Sequence, residues 1–262
     1  MQVPLFANVL WAVGAALKLL LCVLVFYRHL YRRLRLFTVY VVLLSVKDAV
    51  VWWAYHKWGY TSRPAWYVYW VASGVVLLAR GLVVAELCWA GLRNYPALWP
   101  VLRKILALIA FVLLTCAGVA AARSSYRIVA FVLTTERGLE LAASVILVTL
   151  FAVSVRYRTW LEPLERNIVL GLAMYSTLQM LNNIFMTPRM TPYFPWWESV
   201  RVGCFDIVMV MWVIPLLKPL PASSPPQPLI SEQASLYLLR QLLDRMQELA
   251  HELKRVGKAI RK

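Results

Sequence analysis

Charged residues are scarce in this sequence: Asp, Glu, Lys and Arg make up 15% of the 262 residues, whereas apolar residues make up 61%. Soluble domains carry about 25% charge, so the composition excludes an ordinary soluble domain. Acidic residues are the rarer kind, 12 against 28 basic ones, and the formal net charge is +16. Basic loops on the cytoplasmic side of a membrane explain this excess better than nucleic-acid binding does. We therefore expect the lipid bilayer, and no nucleic acid, as a partner.

Residues that bind metals or act as nucleophiles are also few and isolated. Four cysteines (Cys22, Cys88, Cys116 and Cys204) lie singly in separate apolar segments, and only three histidines occur. The sequence contains no C-x-x-C pair, H-E-x-x-H zinc motif, G-x-S-x-G elbow or phosphate loop. The last apolar stretch has no lysine that could form a retinal Schiff base. These absences predict a protein that is not an enzyme and that has no cofactor or metal site.

Long apolar stretches are abundant, and each of seven approaches or exceeds the length of about 20 residues that a helix needs to cross a bilayer. They cover residues 4–27, 36–56, 66–92, 100–121, 127–154, 167–187 and 197–217. The fifth and seventh contain ionisable residues, which are tolerated when they face the interior of a bundle. The pattern predicts an all-α polytopic membrane protein whose domain of seven transmembrane helices covers residues 1–217.

The distribution of basic residues predicts how these helices are oriented. Eleven Lys and Arg residues follow the first, third, fifth and seventh stretches, and five flank the opposite ends. Cytoplasmic loops carry the excess of positive charge, so the first set is expected in the cytoplasm and the N-terminus outside. Trp and Tyr residues cluster at the predicted outer ends, as expected at a membrane interface.

The C-terminal tail has its own pattern. Residues 218–228 form a proline-rich linker, and residues 229–262 are predicted to form a cytoplasmic amphipathic helix. Its apolar residues recur at steps of three and four, the pattern of a coiled-coil seam; they include Leu236, Leu239, Leu243, Met246, Leu253 and Ile260. We expect this seam to join copies into a homo-oligomer. The alternative is that the basic helix lies on the inner leaflet.

Charged residues inside the apolar stretches are the main candidates for function. Five bases and six acids are nearly balanced, which predicts that they pair across helices, because unpaired charges are costly in a bilayer. Depth along the helices suggests the pairs Arg80 with Glu140 and Arg201 with Glu136. Gln179, Asn182 and Asn183 are expected to extend this polar lining. The network either fixes helix packing or lines a cavity or conduction path. Its charged members are Lys18, Lys47, Asp48, Arg80, Glu86, Glu136, Arg137, Glu140, Glu198, Arg201 and Asp206.

Tryptophans at the predicted outer ends are a second group of candidates. An aromatic belt at the membrane interface is their ordinary explanation. The alternative is an extracellular pocket in which the rings hold a cationic or apolar ligand. The residues concerned are Trp52, Trp53, Trp66, Trp70, Trp196 and Trp197.

Three segments carry a family resemblance: YRHLYRRLRLFTVYVVL, LLARGLVVAELCWAGLRNYPAL and TTERGLELAASVILVTLFAV. They resemble a group of uncharacterised bacterial seven-helix membrane proteins that is common in acidobacterial genomes. The resemblance covers about residues 5–217 and excludes the tail. It implies a bacterial origin, and hence the inner membrane, with the same seven-span topology, and it implies no activity.

These features predict a self-associating membrane protein, with a channel-like oligomer as the first expectation. A shared axis between copies and a charged interior would supply a conduction path. The alternatives are a receptor that signals from an outer aromatic pocket through its C-terminal helix, or an accessory subunit that binds other membrane subunits.

Overall fold

The computed structural model of the chain describes residues 5–59, 62–93, 99–157, 161–185 and 194–218. These residues form seven α-helices and one short 3-10 turn, with no strand among them. The elements are α1 Leu5–Tyr27, the turn Leu30–Arg32, α2 Arg35–Trp58, α3 Arg63–Gly91, α4 Trp99–Ala122, α5 Arg127–Tyr157, α6 Pro163–Phe185 and α7 Phe194–Leu217. The all-helical prediction is confirmed, and each helix coincides with one of the seven apolar stretches. The tail, residues 219–262, lies outside the described residues.

The starts and ends of the helices follow from local chemistry. Beyond α1 the backbone reverses at His29, whose φ of 52° is in the left-handed region that commonly terminates a helix. Ser62 caps α3 by accepting a hydrogen bond from the Ala65 amide at 3.3 Å, and Pro64 lies in the first turn, where its missing N–H costs nothing.

Six of the helices form a closed ring around a common interior. α1 packs on α2, α2 on α3, α3 on α5, α5 on α6, α6 on α7, and α7 returns to α1. α4 is placed differently, because it packs chiefly on α5 and stays outside the ring. The interior is therefore built by α1, α2, α3, α5, α6 and α7 of a single chain.

The half of the ring nearest the connection between α1 and α2 is filled with apolar side chains, and we call it the packed half. Trp212 on α7 lies at its centre and packs edge to face on Phe37, with the ring centroids 5.3 Å apart. Gly171 on α6 makes room for this indole, since a β-carbon there would collide with Trp212. Among the described residues, the largest fully buried side chains are Leu21, Leu30, Leu34, Phe37, Tyr40, Leu87, Leu147, Ile168, Leu172, Met209, Trp212 and Leu216, and all of these except Tyr40, which borders the cavity, belong to the packed half.

Charged side chains tie the connections together at this end of the ring. Arg33 forms ion pairs with Glu162 and, at 3.1 Å, with Glu165, so the connection between α1 and α2 is joined to the one between α5 and α6. Burial opposes the charge of Arg33, but the two carboxylates outweigh it and hold its pKa above the usual value. Arg28 donates to the carbonyl oxygens of Leu216 and Leu217 at 3.0 Å each, which ties the end of α1 to the end of α7.

The outer surface of the helices is largely apolar. On α4, for example, Leu108 is 61% exposed and Phe111 is 68% exposed. Within the described residues, four helical stretches are long and apolar enough to cross a membrane. They are Arg35–Trp58, Arg63–Gly91, Trp99–Ala122 and Ser199–Leu217.

Candidate functional site

A cavity of about 500 Å³ occupies the other half of the ring, which we call the cavity half. All six ring helices contribute to its walls, and α4 does not. The lining brings together seven of the charged residues expected from the sequence, with two of the expected amide side chains. These nine residues are Lys18, Lys47, Asp48, Arg80, Glu136, Gln179, Asn182, Arg201 and Asp206.

Arg80 on α3 borders the cavity deep in the ring and forms an ion pair with Glu140 on α5, the pairing expected from their depth. Both residues are buried, with Glu140 inaccessible to solvent. The guanidinium also lies 4.8 Å from the ring centre of Tyr175, a cation–π contact. The Tyr175 hydroxyl in turn accepts a hydrogen bond from Gln179 Nε2 at 3.1 Å. This chain of contacts fixes the positions of polar groups on three helices.

Lys18 on α1 and Asp48 on α2 form a second ion pair, which sequence reasoning did not predict. The ammonium of Lys18 lies 5.2 Å from the centre of the Phe205 ring on α7. A shallower groove of about 240 Å³ between α1 and α2 shares these two charged residues with the cavity, and apolar side chains such as Leu19 complete its walls. The Lys18–Asp48 pair therefore forms part of the wall between the cavity and the outer surface.

Asp206 on α7 is a buried carboxylate of the lining that forms no ion pair among the described residues. It is only 7% exposed, and neither of its carboxylate oxygens has a hydrogen-bond partner among the described residues. Gly14 on α1 provides the space for it, because a β-carbon there would lie 2.6 Å from Asp206 Oδ1. Sequence reasoning missed Gly14; the available signal was a single glycine inside an apolar helix, which suggests close approach of another group.

Lys47, Glu136 and Arg201 face the same cavity from α2, α5 and α7. The Lys47 ammonium lies 5.4 Å from the centre of the Tyr69 ring. Glu136 makes no ion pair with any residue that the structure describes. The predicted pairing of Glu136 with Arg201 is therefore wrong, because their helices, α5 and α7, are separated in the ring by α6.

Two further charged residues expected in the network do not line the cavity. Glu86 accepts hydrogen bonds from the amides of Leu36 and Phe37 at 3.0 and 2.8 Å, so it caps the start of α2. A carboxylate there satisfies amides that have no partner within their own helix and complements the helix dipole. Arg137 lies on the exposed face of α5. The side chains of Asn183 and Glu198 are outside the described part.

The four tryptophans whose side chains the structure describes do not gather into one outer pocket. Trp70 lines the cavity, whereas Trp66 packs edge to face on Trp70 and Tyr126. Trp52 and Trp53 are 57% and 48% exposed on α2, as an interfacial belt would require. The side chains of Trp196 and Trp197 lie outside the described ones.

The aromatic residues that do line the cavity are Tyr40, Tyr69, Trp70, Tyr175 and Phe205. Sequence reasoning missed four of them. A signal was present for Tyr175, which is one helical turn from Gln179 and therefore on the same face as a polar residue already singled out. The cavity thus combines charges of both signs with aromatic rings, the mixture of groups that small-molecule sites use.

Metal binding finds no support in the part of the chain that the structure describes, where no three His, Cys, Asp or Glu residues are grouped so as to hold an ion.

Comparison with known proteins gives no match, whether to family models, to curated proteins or to solved structures.

Proposed function

We propose that this protein is a membrane receptor that binds a small polar molecule in the cavity inside its helix ring. The observation that carries the proposal is a cavity of about 500 Å³ that six helices of one chain surround and line with seven charged residues. Ligand sites of about 300–1,000 Å³ with a few convergent polar groups are the usual form of a small-molecule pocket. The proposed site is this charged cavity, not a pocket of outer tryptophans.

We place all seven helices across the bacterial inner membrane, with the N-terminus outside. Support comes from the basic residues of the loops and from the apolar outer faces of the helices, such as that of α4. In this orientation the cavity half faces outward and the packed half faces the cytoplasm. Labelling of single cysteines from each side of intact cells tests the arrangement: a cysteine at Ser125 should react from outside and one at Arg93 should not.

The packed half supports a receptor over a conduction path through one chain. Beyond Arg80, side chains such as Leu172, Met209 and Trp212 are fully buried and fill the ring. A molecule bound in the cavity would therefore stay on the side from which it entered until the helices moved.

A route for the signal is supported by the contacts of α7. Asp206 and Arg201 on this helix line the cavity, and its last carbonyl groups are held by Arg28 from α1. The predicted cytoplasmic helix of residues 229–262 follows a short linker. A ligand that shifts α7 against α1 would thus move the attachment point of the tail.

The experiment is to fill the cavity and compare ligand responses. Ser73 lines the cavity, and its buried hydroxyl has no hydrogen-bond partner in the described part of the chain, so Ser73→Phe places a ring in the empty space. Val75 is 45% exposed on the outer face of the same helix, which makes Val75→Phe the matched control. The full-length protein in lipid nanodiscs is screened for thermal stabilisation by soluble amines, carboxylates and zwitterions.

We expect at least one compound to raise the melting temperature of the wild type and the Val75→Phe variant, and to leave that of Ser73→Phe unchanged. Stabilisation that is equal in both variants, or that no compound produces, contradicts the receptor proposal.

A channel-like homo-oligomer, or an accessory subunit of a larger complex, is the second candidate. Two observations favour it: α4 stands outside the ring with an exposed apolar face, and the tail carries a coiled-coil seam. Particle mass in mild detergent is measured for the full chain and for a chain without residues 229–262. A mass of three or more copies that falls on truncation, together with conductance in bilayers, supports the channel. A monomeric full chain contradicts self-association.

A further inference from the structure

We infer that the ligand of this cavity is a small zwitterion with one ammonium group, one carboxylate group and a compact apolar body. The inference rests on the proposed receptor function and names the chemical class that the cavity fits. Three observations carry it: a buried carboxylate on α7 and a base on α2 that each form no ion pair among the described residues, and aromatic rings around them.

Asp206 provides the acceptor for the ammonium group. A carboxylate that is 93% buried loses most of its hydration, and burial without a compensating hydrogen bond is costly. The nearby Lys18 attracts this carboxylate but compensates only part of its charge, since that ammonium is paired with Asp48. A primary ammonium supplies three donors and a positive charge, which is what the two orphaned oxygens of Asp206 lack.

Lys47 provides the partner for the carboxylate group. Its side chain faces the cavity, and it forms no ion pair among the described residues. The carboxylates of Asp48 and Glu136 attract it from beyond ion-pair distance, and its ammonium lies over the Tyr69 ring. A carboxylate from the ligand would complete a charge-assisted hydrogen bond at this point. Lys47 and Asp206 lie on α2 and α7, which α1 separates in the ring, so the two poles of the ligand meet different walls.

The rings of Trp70, Tyr175 and Phe205 define the remaining wall, where an apolar body would pack. The ion pair of Arg80 with Glu140 closes this space on the inner side. An ammonium-only or carboxylate-only compound would leave one of the two charged residues without a counter-charge, and this penalty is the physical basis of selectivity.

The test compares matched probes on the full-length protein in nanodiscs by calorimetry or thermal shift. One series is L-phenylalanine, 2-phenylethylamine and 3-phenylpropionate, which share a ring and differ in charge. The second is L-alanine, ethylamine and propionate. We expect at least one amino acid to bind ten times more tightly than both singly charged members of its series.

Two variants then assign the poles. Asp206→Asn should weaken binding of the amino acid and of the amine at least tenfold and leave that of the carboxylate unchanged. Lys47→Gln should do the reverse, weakening the amino acid and the carboxylate only. Arg137→Gln, which removes an exposed charge outside the cavity, is the control and should change none of them. If Asp206→Asn does not fold, binding of the probe series to the wild type and to Lys47→Gln still tests whether the ligand is a zwitterion.

The outcomes separate this inference from the receptor proposal. Singly charged or neutral compounds that bind as tightly as the amino acids, in a way that Ser73→Phe abolishes, overturn the zwitterion class and leave the receptor standing. If neither Asp206→Asn nor Lys47→Gln changes the binding of the amino acids, this result also contradicts the inference that the ligand is a zwitterion. If no compound of the whole screen binds, both proposals fall.

Discussion

The two halves of the ring are made by the same helices and yet have opposite contents. In the packed half, Trp212 and Phe37 meet edge to face and fully buried apolar side chains fill the space. In the cavity half, seven charged residues surround about 500 Å³. The comparison suggests that the two ends of each ring helix have different roles. Close packing at one end stabilises the bundle. The other end can therefore contain charges and empty space, which alone would destabilise the bundle.

The largest expected difference between the halves comes from removing the same side chain in each. Trp212→Ala leaves a void among fully buried side chains and should lower the free energy of unfolding by about 3–5 kcal/mol. Trp70→Ala, which enlarges an existing cavity, should cost less than half as much, because part of that ring already lacks packing partners. Unfolding of the two variants in mixed detergent micelles gives the comparison. Equal losses would show that the cavity half contributes as much packing as the other.

A smaller difference is expected when a methyl group is added at two glycines. Gly171→Ala places it against the indole of Trp212, which has no room to move, and overpacking of this kind costs about 1–3 kcal/mol. Gly14→Ala places it against the Asp206 carboxylate, which has the cavity to turn into, and the better helix propensity of alanine, about 1 kcal/mol, offsets the strain. We expect Gly14→Ala to keep the melting temperature within a few degrees while weakening ligand binding. If Gly14→Ala lowers the stability as much as Gly171→Ala does, the two halves of the ring do not differ in how well they accommodate an added methyl group.

The smallest effect is expected from the charges that tie the packed end together. Arg33→Gln breaks the pairs with Glu162 and Glu165. Arg33 and Glu162 are partly exposed to solvent, and exposed pairs contribute about 1 kcal/mol or less. Glu165 is buried, but it also accepts a hydrogen bond from the Glu162 amide at 3.2 Å, which the substitution leaves in place. Arg137→Gln serves as the baseline for removing an arginine without an ion pair in the described structure. Chemical unfolding at low and high salt should show the Arg33 effect shrinking with salt. A loss comparable to that of Trp212→Ala would mean that ion pairs, and not apolar packing, hold this half together.

The helices could be predicted from the sequence because each coincides with an apolar run bounded by basic or turn residues. Every helix end lies within four residues of the predicted stretch. The exclusion of α4 from the ring could not be predicted, since an apolar helix on the outside of the bundle has a sequence pattern that differs little from that of a helix packed among others. The composition of an apolar stretch predicts the length of the helix but does not predict which helices pack against it.

The charged residues of the cavity could be predicted from the sequence, but the ion pairs that they form were harder to predict. The charged residues within apolar stretches were the right place to look, and Arg80 with Glu140 followed from depth alone. Lys18 with Asp48 did not follow, because the contact depends on the rotation of α1 about its axis. Glu86 was expected to meet a base, but the turn Leu30–Arg32 brings the first amides of α2 to it instead. The roles of Gly14 and of the aromatic rings that line the cavity depend on the shape of the cavity, which a residue pattern does not predict.

The order of translation gives the Arg80–Glu140 pair a further consequence. Arg80 precedes Glu140 by 60 residues, so α3 emerges from the ribosome before its counter-charge exists. At about 5–20 residues per second, this arginine waits roughly 3–12 s for α5. In the membrane arrangement proposed above, an unpaired arginine at mid-helix disfavours insertion by about 2.5–3.5 kcal/mol, which the leucines and valines of α3 would have to offset alone. In that arrangement the apolar side chains of α3 would keep this helix in the membrane until Glu140 arrives and the ion pair forms.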